Sequence, residues 1–255
     1  MRSLRWVALA ALALVAGCTP QADREVLYQT CTVSALQEGV YDGEMTLAEV
    51  AAHGNLGLGT FNALDGEMVV VDGTVYQVRA DGKVYRPPPE ARTPFAAVTH
   101  FEADRWADAD GPIGYADLKV LVDRIAGVRN VPLAVRIDGR FRYVKTRSVP
   151  RQTKPYPRLA EVAKRQPTFE FRDVAGTLVG FRLPPFVEGL NVPGYHLHFL
   201  TDDRSAGGHV LDVTVEAVTI AVDVTPALHV ALPTGGAFTE VDLGRDTAGE
   251  LRRIE

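Results

Sequence analysis

Short runs of β-branched and aromatic residues, broken by Asp-Gly pairs, dominate the hydrophobic pattern of this chain. Val69-Val70-Val71 and residues 74–78 flank Asp72-Gly73. Residues 134–137 and 141–144 flank Asp138-Gly139, and Asp81-Gly82 sits between β-prone stretches as well. Asp-Gly between two such runs predicts a two-residue hairpin turn, since both residues tolerate the left-handed backbone it needs. Similar runs predict strands at 168–171, 177–182, 210–224 and 229–232, and strand-like sequence resumes at Phe95 after the proline-rich loop 87–94.

Helical periodicity is scarcer. Thr46-Leu47-Ala48-Glu49 is a capping box that predicts a short helix ending at Gly54. Residues 115–126 carry Leu118, Leu121, Val122 and Ile125 at helical spacing and stop at Gly127. Pro157 begins a third helix, with Leu159 and Val162 inward and a break before Pro167. Few helices among many strands predict an α+β fold with mixed or antiparallel sheets. The stretch 149–166 holds three prolines and several basic residues, so it is the candidate boundary. The expected division is an N-terminal mixed-sheet domain over 24–160 and a C-terminal sheet domain over 161–255.

The chain has 255 residues, 46% of them hydrophobic, and a net charge of −5 without long charge runs. That balance gives no footprint for nucleic acid. Its beginning changes the picture. Met1 to Arg5 is basic and residues 6–16 are apolar, which reads as a secretory signal too short for a stable membrane span. Val15-Ala16-Gly17-Cys18 resembles a bacterial lipobox. The resemblance implies cleavage before Cys18 and lipid attachment to its sulfur. Residues 1–23 are then a signal and tether. An exported protein is expected, held at a membrane through Cys18 alone or free in the periplasm or outside the cell. With Cys18 lipidated, Cys31 has no disulfide partner, and a buried inert thiol is expected there.

Half of the six histidines lie within residues 191–212: His196 and His198 two apart, then His209 after a polar turn with glycines. In a strand, His196 and His198 share a face. A hairpin turn over 201–208 brings His209 opposite His198 and Phe199, where cross-strand neighbours lie about 4.5–5.5 Å apart. Three imidazoles with an open fourth position suit a catalytic zinc ion. A lone H-x-H on a strand is also often two half-exposed imidazoles, and with His209 added spacing alone leaves both readings open. Of the others, His53 falls in the last turn of the first helix, where a cation suits the dipole, and His100 and His229 stand alone in apolar runs. Gly54, Gly57 and Gly59 lack dinucleotide-fingerprint spacing, and there is no P-loop, G-x-S-x-G elbow or H-E-x-x-H helix.

Residues 57–68 (GLGTFNALDGEM), 93–99 (TPFAAVT), 146–150 (TRSVP), Gln152 and Pro155-Tyr156, with the histidine segment, together resemble the bacterial α-acetolactate decarboxylase family. The likeness runs from about Leu27 to the C-terminus. It implies two α/β domains with mixed sheets, a dimer, and zinc ligands at His196, His198 and His209, on the C-terminal hairpin. It also implies an active-site glutamate at Glu67, an arginine at Arg147, and a second glutamate at Glu255, with Glu250 as the fallback. The implied reaction is zinc-dependent decarboxylation of (S)-2-acetolactate to (R)-acetoin and CO2.

That chemistry suits the residues. Loss of CO2 leaves an electron pair that must flow into the neighbouring ketone, and a metal there is a Lewis-acid sink for a chelated enediolate. Neutral imidazoles leave the ion's charge undiluted. Glu67, Arg147 and Glu255 are the candidates for proton delivery to one face and for positioning. A carboxylate that donates must hold a proton, so at least one glutamate is expected to titrate high. Thr60, Phe61 and Leu64 are candidate pocket residues beside Glu67. Two other readings fit the same histidines: a metal-binding lipoprotein without turnover, and a zinc hydrolase using Glu67 as base.

Overall fold

The computed structural model describes residues 25–245 and 249–251. The predicted signal, Cys18 and Glu255 lie outside the described residues. In chain order the strands are β1 (Val26–Thr30), β2 (Met45–Thr46), β3 (Leu56–Thr60), β4 (Glu67–Val71), β5 (Thr74–Val78), β6 (Val84–Tyr85) and β7 (Arg92–Thr93). They continue as β8 (Ala96–Thr99), β9 (Arg105–Gly114), β10 (Leu133–Arg147), β11 (Thr168–Leu183), β12 (Gly194–Thr201), β13 (Gly207–Val224) and β14 (Ala227–Ala231). The α-helices are α1 (Val33–Gln37), α2 (Leu47–Ala52), α3 (Tyr115–Ala126) and α4 (Leu159–Ala163). None of the described helices is long and apolar enough to cross a membrane.

Two sheets carry the fold. The first is mixed, in the order β14-β1-β8-β3-β4-β5-β6, and its β1–β14 pair is parallel. The second is antiparallel and holds β9 to β13. Here β10 pairs with both β11 and β13, while β12 bridges β11 and β13. The expected sheet-rich architecture with few helices is therefore present. The sheets pack face to face through Leu58, Val69 and Val71 on one side and Val179, Phe181 and Leu200 on the other. Burial of such side chains is worth about 1.5–3 kcal/mol each, enough to fix the relation of the sheets. α3 covers the second sheet through Leu118 and Val122. α2 covers the outer face of the first with Leu47 and Val50. The expected division at residue 160 falls between β10 and β11, which are hydrogen-bonded neighbours.

Local signals differ in how far they hold. The capping box at Thr46 and Glu49 forms with both of its hydrogen bonds, and Gly127 ends α3 in the left-handed conformation. Asp72-Gly73 is a tight hairpin turn, with φ of 51° and 72° between paired Val71 and Thr74. Asp138-Gly139 is not a turn: β10 runs through it, with Asp138 opposite Thr177 and Gly139 opposite Gly176. β10 has a partner on both edges there, and sheet pairing overrides the local turn preference. Gly139 instead allows close approach, since a Cβ on it meets Ala217 O at 2.4 Å. The two predicted strands at 168–171 and 177–182 are one strand, β11, because β10 pairs along its whole length. The third helix, α4, starts at Leu159 rather than Pro157, with Leu159 and Val162 buried as expected. α1 was not anticipated; the Thr32 side chain caps it.

Candidate active site and metal centre

Strand alternation sets the site. On β12, His196 and His198 share a face with Leu200, whose side chain sits between the two sheets. On β4, Glu67 shares a face with Val69 and Val71, which fill the same interface from the first sheet. Glu67 is therefore aimed at the histidines. On β13, His209 lies directly opposite His198 across one ladder and directly opposite Arg147 across the other. A single row across the second sheet thus reads Arg147, His209, His198.

The three histidines each offer a ring nitrogen within 4.8 Å of the other two. His198 and His209 are buried and His196 nearly so. Burial pushes their pKa values down, with the Arg147 charge adding to the effect. His196 falls to about 3, and His198 and His209 lie well below the usual imidazole range. All three rings are neutral at neutral pH, the form that binds a metal. The Nε2 of His198 is buried and makes no hydrogen bond; the Glu67 carboxylate is 3.7 Å away. A buried lone pair left this way is costly. Three neutral nitrogen donors this close together could hold a metal ion.

Arg147 is buried at the end of β10, and its Nη1 donates to Gln166 Oε1 at 2.8 Å. Its neighbours pin it. The Thr146 hydroxyl donates to Gly207 O at 2.9 Å and the Ser148 hydroxyl to Val78 O at 2.8 Å. The hydroxyls in Thr-Arg-Ser therefore tie this strand end to the histidine hairpin and to β5.

Glu67, Arg147 and the three histidines line one cleft. Its apolar wall holds Val33 and Leu36 of α1, Leu159 of α4, and Leu64, Phe95 and Val192. Val149 and Leu159, both from the stretch expected to be a domain boundary, thus line the cleft. Leu251 packs into the same apolar cluster.

Thr60 and Leu64 line the cleft as expected, whereas Phe61 does not. It follows Thr60 by one residue, turns the other way, and packs under α2 with Leu47 and Met68. Glu250 is ion-paired to Arg158 at 3.0 Å and is not among the cleft residues. His53 caps α2, but it is stacked on Tyr28 at 3.6 Å and burial lowers its pKa, so the expected cationic role gives way to a neutral ring. His229 is not alone; it stacks on Tyr28 at 5.0 Å. Gln166, the Met68 carbonyl and the α1 residues carried no sequence signal, because each reaches the site only through tertiary packing.

The family model for alpha-acetolactate decarboxylase matches residues 27–245. The alpha-acetolactate decarboxylase of Methanosarcina mazei is 47% identical over 231 residues, 91% of this chain and 80% of that protein. That of Methylococcus capsulatus is 47% identical over 233 residues, 91% of this chain and 89% of that one. The crystal structure of the Bacillus subtilis enzyme superposes with a TM-score of 0.88 at 37% identity, covering 90% of this chain and 99% of that one.

Proposed function

The chain belongs to the alpha-acetolactate decarboxylase family, carboxy-lyases acting on acetolactate, and from that premise we propose that it converts (S)-2-acetolactate to (R)-acetoin and CO2 at a zinc ion held by His196, His198 and His209. The observation that carries the reading is the grouping of three neutral imidazoles, two buried and one part-buried, in a cleft that also holds Glu67 and Arg147. When bound, the ion supplies a Lewis acid for the substrate's ketone oxygen, drawing off the electron pair released as the carbon–carboxylate bond breaks.

The chain's own residues do the rest. The apolar wall receives the substrate's two methyl groups and keeps water from the reacting carbon. Arg147, pinned through Gln166, presents planar donors that orient the substrate carboxylate. Too firm a grip on that group stabilises the ground state and slows the reaction, so its task is orientation. Glu67 stands on the opposite sheet and delivers a proton to one face of the hydroxyl-bearing carbon after CO2 leaves. That fixes the (R) hand of acetoin.

The basic and apolar residues before Cys18 support export with a lipid anchor at that cysteine, and the family resemblance supports a homodimer. An acetoin colour assay on racemic acetolactate, with and without chelator, tests the core of the proposal. Acetoin formed only without chelator is the expected result; formation unaffected by complete metal removal sinks the zinc mechanism.

A further inference from the structure

Away from the histidine cleft, a second group of ligand-type side chains joins the two sheets. Glu25, Asp104 and Asp223 each place a carboxylate oxygen within 4.8 Å of the other two. Glu25 immediately precedes β1 in the first sheet. Asp104 immediately precedes β9, and Asp223 is next to last in β13, both in the second sheet. Glu25 and Asp104 are exposed, while Asp223 is only 1% exposed.

Backbone groups hold one oxygen of each aspartate. The Glu102 N–H donates to Asp223 Oδ2 at 3.2 Å, and the Val224 N–H donates to Asp104 Oδ2 at 2.9 Å. The remaining oxygen of Asp223, Oδ1, is buried and has no hydrogen-bond partner. Among the described residues, no lysine or arginine forms an ion pair with any of the three acids. Three like charges at this spacing repel, and a buried carboxylate oxygen without a partner carries a desolvation cost. Buried carboxylates in this position ordinarily pair with a cation or ligate a metal.

We propose that Glu25, Asp104 and Asp223 form a calcium site that clips the start of β1 to the ends of β9 and β13. The donors are all anionic oxygens, the set taken by a hard cation rather than by a nitrogen-seeking transition metal. Each aspartate has one oxygen free of the backbone, and Glu25 has two. Exposure on the Glu25 and Asp104 side leaves room for water to complete the roughly six to eight oxygens that Ca2+ takes. A partly hydrated site with few protein ligands is expected to be weak, with a dissociation constant on the order of 10⁻⁴–10⁻³ M. The site is independent of the proposed reaction, and none of its three acids lines the histidine cleft.

The test uses the full zinc-loaded chain. Equilibrium dialysis with radioactive calcium is expected to show one Ca2+ per chain, and millimolar CaCl2 is expected to raise the melting temperature. Asp223→Asn, nearly isosteric, should lose both effects while retaining acetolactate turnover. Glu25→Gln changes an exposed side chain and so keeps the fold; it should weaken calcium binding several-fold. MgCl2 at matched ionic strength should give no comparable shift. No bound calcium in the wild type at millimolar concentration overturns the site. So does unchanged binding in both variants, and so does an equal thermal shift with Mg2+, which reports only screening of surface charge.

Discussion

The Nδ1 of His198 lies 2.7 Å from the carbonyl oxygen of Met68, the residue that follows Glu67 on β4. A carbonyl only accepts, so this bond places the ring proton on Nδ1 and leaves the Nε2 lone pair facing the site. One strand of the first sheet thus sets the tautomer of His198 on the second and supplies the adjacent carboxylate. His198→Ala is expected to lose zinc and acetolactate turnover together, with the fold retained by circular dichroism. Full turnover in that variant, or full zinc content without turnover, separates the ligand role from the chemistry and removes the first.

Glu67→Gln preserves the shape of the side chain and removes its acid. The carboxylate is 3.7 Å from His198 Nε2, too far for a hydrogen bond, so zinc content should remain near one per chain. Turnover should fall by about 10²–10⁴-fold, the usual contribution of a positioned acid or base. The enantiomeric excess of the acetoin should fall with it, because the non-enzymatic proton arrives from either face. Wild-type rate and stereochemistry would take Glu67 out of the reaction.

Gln166 accepts a side-chain hydrogen bond from Arg147 at 2.8 Å. Losing it should misplace the guanidinium without removing it. A hydrogen bond to a charged group is worth about 1.5–3 kcal/mol, so kcat/KM for Gln166→Ala should fall by roughly 10- to 100-fold. Arg147→Lys keeps the charge but loses the planar donors, and should be hit at least as hard. A purely structural Gln166 would lower the melting temperature and leave the kinetics of the folded enzyme untouched.

Much of this site was legible because its residues are clustered or periodic. Strand spacing put His196 and His198 on one face, and the expected turn over 201–208 brought His209 opposite them; in the structure Leu200 pairs with Gly207, so the turn closes two residues earlier and His209 faces His198. Glu67 and Arg147 were found through motif resemblance, since neither carries a signal of its own. Spacing missed partners such as Gln166 and Met68, which are assembled by packing between distant segments. It also misread Asp138-Gly139, where a local turn signal met a strand with neighbours on both edges. α1 was missed because its five residues are too few to show a helical period.

Cys31 is buried, with a thiol pushed up to about 11 by desolvation. A raised thiol pKa keeps the group protonated below that value, and only the thiolate is nucleophilic. The native protein should therefore resist iodoacetamide at pH 8 and react once unfolded in urea. Rapid modification of the folded protein, followed by mass spectrometry, would show that this part of the fold opens.

Gly139 tests whether β10 is continuous. Its φ of 144° is unfavourable for other residues, and an added Cβ would sit 2.4 Å from Ala217 O and 2.8 Å from Val218 Cα. Backbone lies in the way, so relief requires β10 and β13 to move apart. Strain and overpacking of this kind cost about 1–3 kcal/mol, or roughly 2–12 °C in melting temperature for a chain this size. Gly139→Ala should therefore melt several degrees below the wild type. Asp138→Asn changes the same dipeptide without adding a Cβ to the glycine, and its loss should be smaller. In a two-residue hairpin turn, alanine at position 139 would carry only the strain of a left-handed residue, with no neighbouring strand to push aside. Equal melting temperatures for Gly139→Ala and the wild type would accordingly argue against a strand running from Leu133 to Arg147. Arg147 lies at the far end of that strand, opposite His209. Its position depends on the same continuity, so kcat/KM should fall with the melting temperature.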